Sequence, residues 1–178
     1  TGEGGMITTN NSDLAEIMRQ MINHGASVPE EQRHKGPKPY LLPDFNLLGF
    51  NYRMTDLQGA VGLVQLEKLS NFINERNRWA NWYQKELSSI KWLLNPKTPS
   101  NGLHSWQAYV TYIDPKISPR SRNDIMEKLQ KRGISTRPGT HALHMLDLYK
   151  NKFGFARDDF PSSRDCYLNT MALPLHNR

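Results

Sequence analysis

From Leu14 to Ile22 the apolar residues Leu14, Ile17, Met18, Met21 and Ile22 recur at intervals of three and four, the period of one helix face, and Gly25 follows as a stop. Ser12 stands where a cap belongs, so the pattern predicts a helix from there to about Asn23. Ahead of it Met6 to Thr9 is short and β-favouring, between the glycine-rich opening TGEGG and the turn signal Asn10-Asn11. The first unit therefore reads as strand, turn, amphipathic helix. From Gly25 to Arg53 the pattern dissolves, with Pro29, Pro37, Pro39 and Pro43 set among glycines and aromatics. A connection of this length is usually functional or disordered, and Tyr40, Phe45, Phe50 and Tyr52 favour an ordered one.

Periodicity returns at Thr55-Asp56-Leu57-Gln58, a capping box in which the Thr hydroxyl and the Gln amide satisfy each other's open backbone N–H groups. It starts a helix with Leu57, Val61, Val64 and Leu69 on one face. A second helical stretch, from Asn71 to Ser89, places Phe72, Ile73, Trp79, Trp82, Tyr83 and Leu87 at helical spacing, which reads as an ordinary core stripe. The two together predict one long or bent helix connecting two lobes.

The run Asn95-Pro96-Lys97-Thr98-Pro99-Ser100-Asn101-Gly102 marks a boundary, and beyond it the period changes to the alternation of a strand from Ser105 to Ile113. Ser121 predicts a capped helix with Ile125, Met126 and Leu129 inward and Lys131-Arg132-Gly133 at its end. A short strand at Ile134 to Arg137, helices at His141 to Phe153 and Pro161 to Thr170, and a last strand at Met171 to Leu175 complete a small α+β domain. The predicted division is 1–95 and 96–178.

Composition changes this picture little. The 178 residues, 37% hydrophobic and 22% charged, suit one ordinary domain or two small ones. Their mean hydropathy of -0.69 predicts a loop-rich protein or part of a larger one. No apolar run approaches the roughly 18 residues of a membrane span, and no signal peptide opens the chain, so a soluble cytoplasmic protein is expected. The single Cys166 supports neither a disulfide framework nor a zinc site. The net charge of +6 raises nucleic-acid binding, but Arg76, Arg78, Lys85, Lys128, Lys131 and Arg132 are scattered, mostly beside acids. A solvated surface explains them better, and a phosphate-bearing small ligand comes next.

Candidate chemistry is sparse. GEGG lacks the Gly-Lys-Ser/Thr ending of a phosphate loop and is not a dinucleotide fingerprint. Six histidines are present, and only His141 and His144 come close in sequence, at i and i+3, so no metal site is expected. The stretch that stands out is LGFNYRMTDLQGA, residues 48–60, where Asn51 and Arg53 come directly before a helix N-terminus that favours anions. On residue chemistry alone, a helix entry with Asn51 in a turn and Arg53 in a surface ion pair is the preferred reading.

At this motif the sequence closely resembles the DegT/DnrJ/EryC1/StrS family of pyridoxal-phosphate-dependent sugar aminotransferases. TGEGGMITTN is similar to the family's TTGEGGM segment, Ile22-Asn23-His24-Gly25 to the end of its following helix, and GFNYRMTDLQGAVGLVQLEKL to its most distinctive stretch. Gly133-Ile134-Ser135-Thr136-Arg137 with Ala142-Leu143-His144, then Phe160-Pro161 with Ala172-Leu173-Pro174-Leu175, resemble its later landmarks in the same order. Nearly the whole chain is covered.

The resemblance implies a partial α/β fold of type I, consisting of the end of the large cofactor domain, its connecting helix and a small α+β C-terminal domain. The family's cofactor-bearing lysine stands just before the segment matching TGEGG, so the resemblance implies the C-terminal portion of a longer enzyme, with no catalytic residue in this chain and no activity on its own. It also implies pyridoxal 5'-phosphate as cofactor, a homodimer sharing its sites across the interface, and transfer of an amino group, usually from glutamate, to a nucleotide-linked keto sugar. Asn51 is implied as a contact to the cofactor phosphate of the other subunit, and Arg53 as a cofactor or substrate-phosphate contact or an interface ion pair. His144 falls where some relatives place a substrate-contacting histidine, although Ala142 replaces a common proline nearby. His24, Tyr52 and Arg137 are candidates to line the cleft. Two alternatives stay open: a dehydratase, as in relatives with histidine at the lysine position, and a non-catalytic module that pairs with a partner chain.

Overall fold

A computed structural model describes residues 1–28, 40 and 42–177. The part of the expected long loop at 29–39 and 41, with Pro29, Pro37 and Pro39, lies outside the described residues. The chain divides into two compact units, Thr1–Lys68 and Leu69–Arg178.

In the first unit helix α1 spans Ser12–Met21. Its cap is Asn11 rather than the expected Ser12. The Asn11 side chain accepts from the Leu14 backbone N–H at 3.0 Å while its own carbonyl takes the first helical bond, from Ala15. A carboxamide fills the same role as a hydroxyl, so Asn11, read from the sequence only as a turn residue, caps the helix instead. The helix ends two residues before the expected Asn23, because the chain enters left-handed backbone at His24 and Gly25, with φ of 59° and 81°. Met6 to Thr9 pairs with no strand among the described residues, so the expected strand is not formed; without a neighbour an extended segment has no ladder. The capping box is present as expected: the Thr55 N–H donates to Gln58 Oε1 at 3.0 Å and the Gln58 N–H to Thr55 Oγ1 at 3.3 Å. It opens α2, Asp56–Glu86, in which the two expected helical stretches form one helix of 31 residues. Neither Pro nor a cap interrupts it at Ser70-Asn71, so nothing local stops propagation.

The second unit is built on a four-stranded antiparallel sheet of order β1-β2-β4-β3, with β1 at Leu93–Leu94, β2 at Tyr109–Ile113, β3 at Arg137–Pro138 and β4 at Thr170–Leu173. Alternation sets its core: Tyr109, Thr111 and Ile113 of β2 are buried while Val110 and Tyr112 are half-buried. Tyr109 packs with Ala80 and Trp106, and Ile113 with Leu93 and Met171. Helix α3, Arg122–Lys131, is capped by Ser121, whose Oγ accepts from the Asp124 N–H at 3.2 Å. Its Ile125, Met126 and Leu129 lie against the Ile113 cluster, as their spacing predicted.

Three elements differ from expectation. The strand expected from Ser105 begins only at Tyr109, because Trp106 adopts a φ of 50°, incompatible with a ladder. The Trp106 N–H donates to His104 Nδ1 at 2.8 Å and its indole N–H to Asn77 Oδ1 at 3.0 Å, which holds this hook. The strand expected at Ile134 to Arg137 is reduced to β3. The helix expected over His141 to Phe153 divides into a 3-10 turn at Leu143–Met145 and α4 at Asp147–Phe153, because Leu146 between them is extended. Helix α5, Pro161–Asn169, has its Pro at the first position and leads straight into β4.

Candidate functional site

The end of α1 and the segment from Asp44 to Tyr52 are stitched together by backbone hydrogen bonds. Ser27 N–H donates to Asp44 O at 2.7 Å, Asn46 N–H to Gly25 O at 3.1 Å, His24 N–H to Phe50 O at 3.0 Å, Phe50 N–H to Met21 O at 2.7 Å and Tyr52 N–H to Ile22 O at 3.0 Å. Asn23 and Asn51 face each other as an antiparallel bridge. Two glycines permit the approach. A Cβ on Gly25 would sit 1.8 Å from the Leu47 carbonyl oxygen, and one on Gly49 would sit 2.1 Å from the Gly25 nitrogen. The sequence pattern IxxG followed by LGFNYR thus encodes a backbone clamp that fixes where Asn51, Tyr52 and Arg53 emerge, three to five residues before α2.

Four of the candidate residues, His24, Asn51, Tyr52 and Arg53, are brought together by this clamp. His24 is exposed and carries left-handed backbone that a non-glycine residue adopts at a cost of about 1–2 kcal/mol. Tyr52 stacks on Phe50, ring centroids 5.1 Å apart. Asn51 is exposed, and among the described residues its side chain makes no hydrogen bond. The Arg53 Nη1 donates to the Asn23 side-chain oxygen, and among the described residues no carboxylate lies within ion-pair distance of Arg53. Tyr52 and Arg53 open on a cavity of about 970 Å³ with walls from Met6, Ile7, Met18 and Ile22 and a second cation, Arg19. Arg19 is paired with Glu16 at 2.8 Å. Sequence reasoning missed both Asn23, read only as part of a helix end, and Arg19, which it did not single out.

His144 and Arg137 belong to the second unit. Arg137 lies exposed in β3, opposite Ala172. His144 is 5% exposed, with Nε2 3.1 Å from the Arg157 carbonyl oxygen and its ring against Phe160 at 5.1 Å. A carbonyl only accepts, so Nε2 carries a proton and donates to it. The tyrosines of this unit are poor candidates for proton transfer. Burial, followed by the nearby Tyr83, pushes the Tyr109 hydroxyl up to about 12; burial, followed by its 2.9 Å bond to Asp165 and neighbouring acids, does the same for Tyr112.

An exposed amide and a guanidinium with no carboxylate partner among the described residues, ahead of a long helix, can hold a phosphate monoester, since each donates N–H groups and the helix terminus adds positive potential. The model of the DegT/DnrJ/EryC1/StrS aminotransferase family matches residues 1–178. The chain belongs to this family. It is 32% identical over 177 residues to the spore coat polysaccharide biosynthesis protein SpsC of Bacillus subtilis, covering 99% of this chain and 45% of that protein. It is 33% identical over 177 residues to the GDP-perosamine synthase of Caulobacter vibrioides, covering 99% of this chain and 44% of the synthase. The fold agrees with that of Spr1654 from Streptococcus pneumoniae in its PLP form, with a TM-score of 0.77, 21% identity and coverage of 95% of this chain and 40% of that one. The fold is therefore part of the mixed α/β type I transferase fold, as the resemblance implied. The chain spans less than half the length of the curated relatives it matches.

Proposed function

We propose that this family member is part of a pyridoxal-phosphate-dependent aminotransferase that moves an amino group from an amino acid, glutamate, to a keto sugar carried on a nucleotide, for amino-sugar and cell-surface polysaccharide synthesis. In this reading residues 1–95 end the cofactor domain and carry the connecting helix, 96–178 form the small domain, and the protein is a cytoplasmic homodimer. Asn51 and Arg53 hold the cofactor phosphate of the other subunit. His24, Tyr52, Arg137 and His144 serve the sugar nucleotide, His144 through Nδ1 because Nε2 is engaged by Arg157.

The observation that carries the reading is the clamp that presents Asn51 and Arg53 together, directly before α2, in a chain matched by the family over its whole length. The Asn51 amide donates to a phosphate oxygen without adding charge, and the Arg53 guanidinium offers several donors in one plane. When bound, pyridoxal phosphate supplies the electron sink that amino-group exchange requires. The residues of this chain bind and orient; none of them is assigned the proton transfer, and the chain by itself is not expected to transaminate.

The test is cofactor affinity in the full-length protein, followed by absorbance, together with glutamate-dependent amination of a nucleotide-linked keto sugar. Asn51→Ala should weaken cofactor binding about ten- to hundredfold, the range for losing a hydrogen bond to a charged group. Unchanged affinity would remove Asn51 from the phosphate site. Turnover by residues 1–178 alone, above that of the cofactor in solution, would overturn the assignment of the chemistry to residues outside this chain.

A further inference from the structure

The two cations of the first-unit cavity are held in opposite ways. Arg19 is paired with a carboxylate, Glu16, whereas Arg53 is held by the neutral carboxamide of Asn23 and, among the described residues, has no carboxylate within ion-pair distance. A neutral acceptor fixes a guanidinium without discharging it, and five N–H donors are enough to serve a holder and an anion at once. Asn23 is itself a fixed post. Its N–H donates to Gln20 O at 3.0 Å, its carbonyl accepts from Ala26 at 3.0 Å, and it bridges Asn51. The residues after it, His24 and Gly25, are both left-handed, so the chain leaves abruptly and the Asn23 side chain meets one that lies thirty positions further on.

We infer that Asn23 is a positioning residue that presets Arg53 for a phosphate group. The inference rests on the reading of Arg53 as a phosphate contact. The gain is one of preorganisation: a long side chain fixed before the ligand arrives loses less freedom on binding.

The test is a double-mutant cycle in the full-length protein with Asn23→Ala, Arg53→Ala and both, read as affinity for inorganic phosphate and for pyridoxal phosphate and as the urea midpoint. Asn23→Ala should lower phosphate affinity severalfold, up to about tenfold, when Arg53 is present, and by less than about twofold when it is not. Asn23→Asp keeps the acceptor and adds a charge, so it should preserve the urea coupling and still weaken phosphate binding. Equal losses in both backgrounds would overturn the inference, as would Asn23→Asp binding phosphate as tightly as the natural protein. Arg53→Ala binding both ligands normally would instead overturn the phosphate reading of Arg53, and the urea coupling would then decide by itself whether Asn23 holds that residue.

Discussion

The two units achieve order by different means. In the second, Tyr109 is enclosed with Ala80 of α2 and Trp106, and Ile113 and Met171 are enclosed by the sheet and α3, so its stability rests on burial. In the first, Ala26 is the one buried apolar side chain among the described residues, while Leu14, Ile17, Val61 and Val64 remain 46–50% exposed. What holds the segment around Asn51 is a set of backbone hydrogen bonds threaded between two glycines. A core tolerates small shifts of many atoms, whereas a backbone clamp tolerates almost none at a few. That rigidity is what presenting a fixed amide and guanidinium requires.

The strongest way to break this contrast is Ile113→Ala. It should cost about 2–5 kcal/mol by loss of burial and a residual cavity, read by urea unfolding, with hydrogen exchange changed in the second unit and unaltered at Phe50 and Tyr52. Alkaline pH should act on the same unit. Tyr109 and Tyr112 hold their protons more tightly folded than unfolded, so their contribution is complete below pH 10 and is lost as pH rises through about 12. The loss should be on the order of 2 kcal/mol, and Tyr109→Phe should flatten that limb of the stability curve. Gly25→Ala probes the clamp. Left-handed backbone alone costs about 1–2 kcal/mol, and the contact with Leu47 adds to it, so exchange protection at Phe50 and Tyr52 should fall while the sheet amides are unaffected. Asn11→Ala should cost about 1 kcal/mol, confined to α1, while Ser12→Ala should change little.

Much of the second unit was legible in the sequence because its signals are local. Ser121 reaches an N–H group within one turn, and the alternation of β2 follows the pleat. The first unit was legible as motif but not as arrangement. LGFNYRMTDLQ singled out Asn51, Tyr52 and Arg53 as candidates, yet nothing within a few positions of Arg53 points to Asn23, and a strand cannot be read from Met6 to Thr9 without knowing its neighbour. Trp106 and Leu146 were misread for a related reason. Their backbone angles answer to distant partners or to the break between two short helices, not to residue propensity.

The sequence by itself determined the starts of α2, α3 and α5, the face of α3, the alternation of β2 and membership of the family, because periodicity, capping and motif order are properties of neighbouring residues. Only the tertiary structure decided that Asn11 caps α1, that Gly25 and Gly49 interlock, that His144 is buried on the Arg157 carbonyl, and that Asn23 grips Arg53. Each of these except the cap joins groups far apart in the chain, and the cap was a choice between two adequate neighbours that only the helix geometry could make. Closing such contacts depends on how the whole chain pays its loop entropy, which no short window of sequence contains.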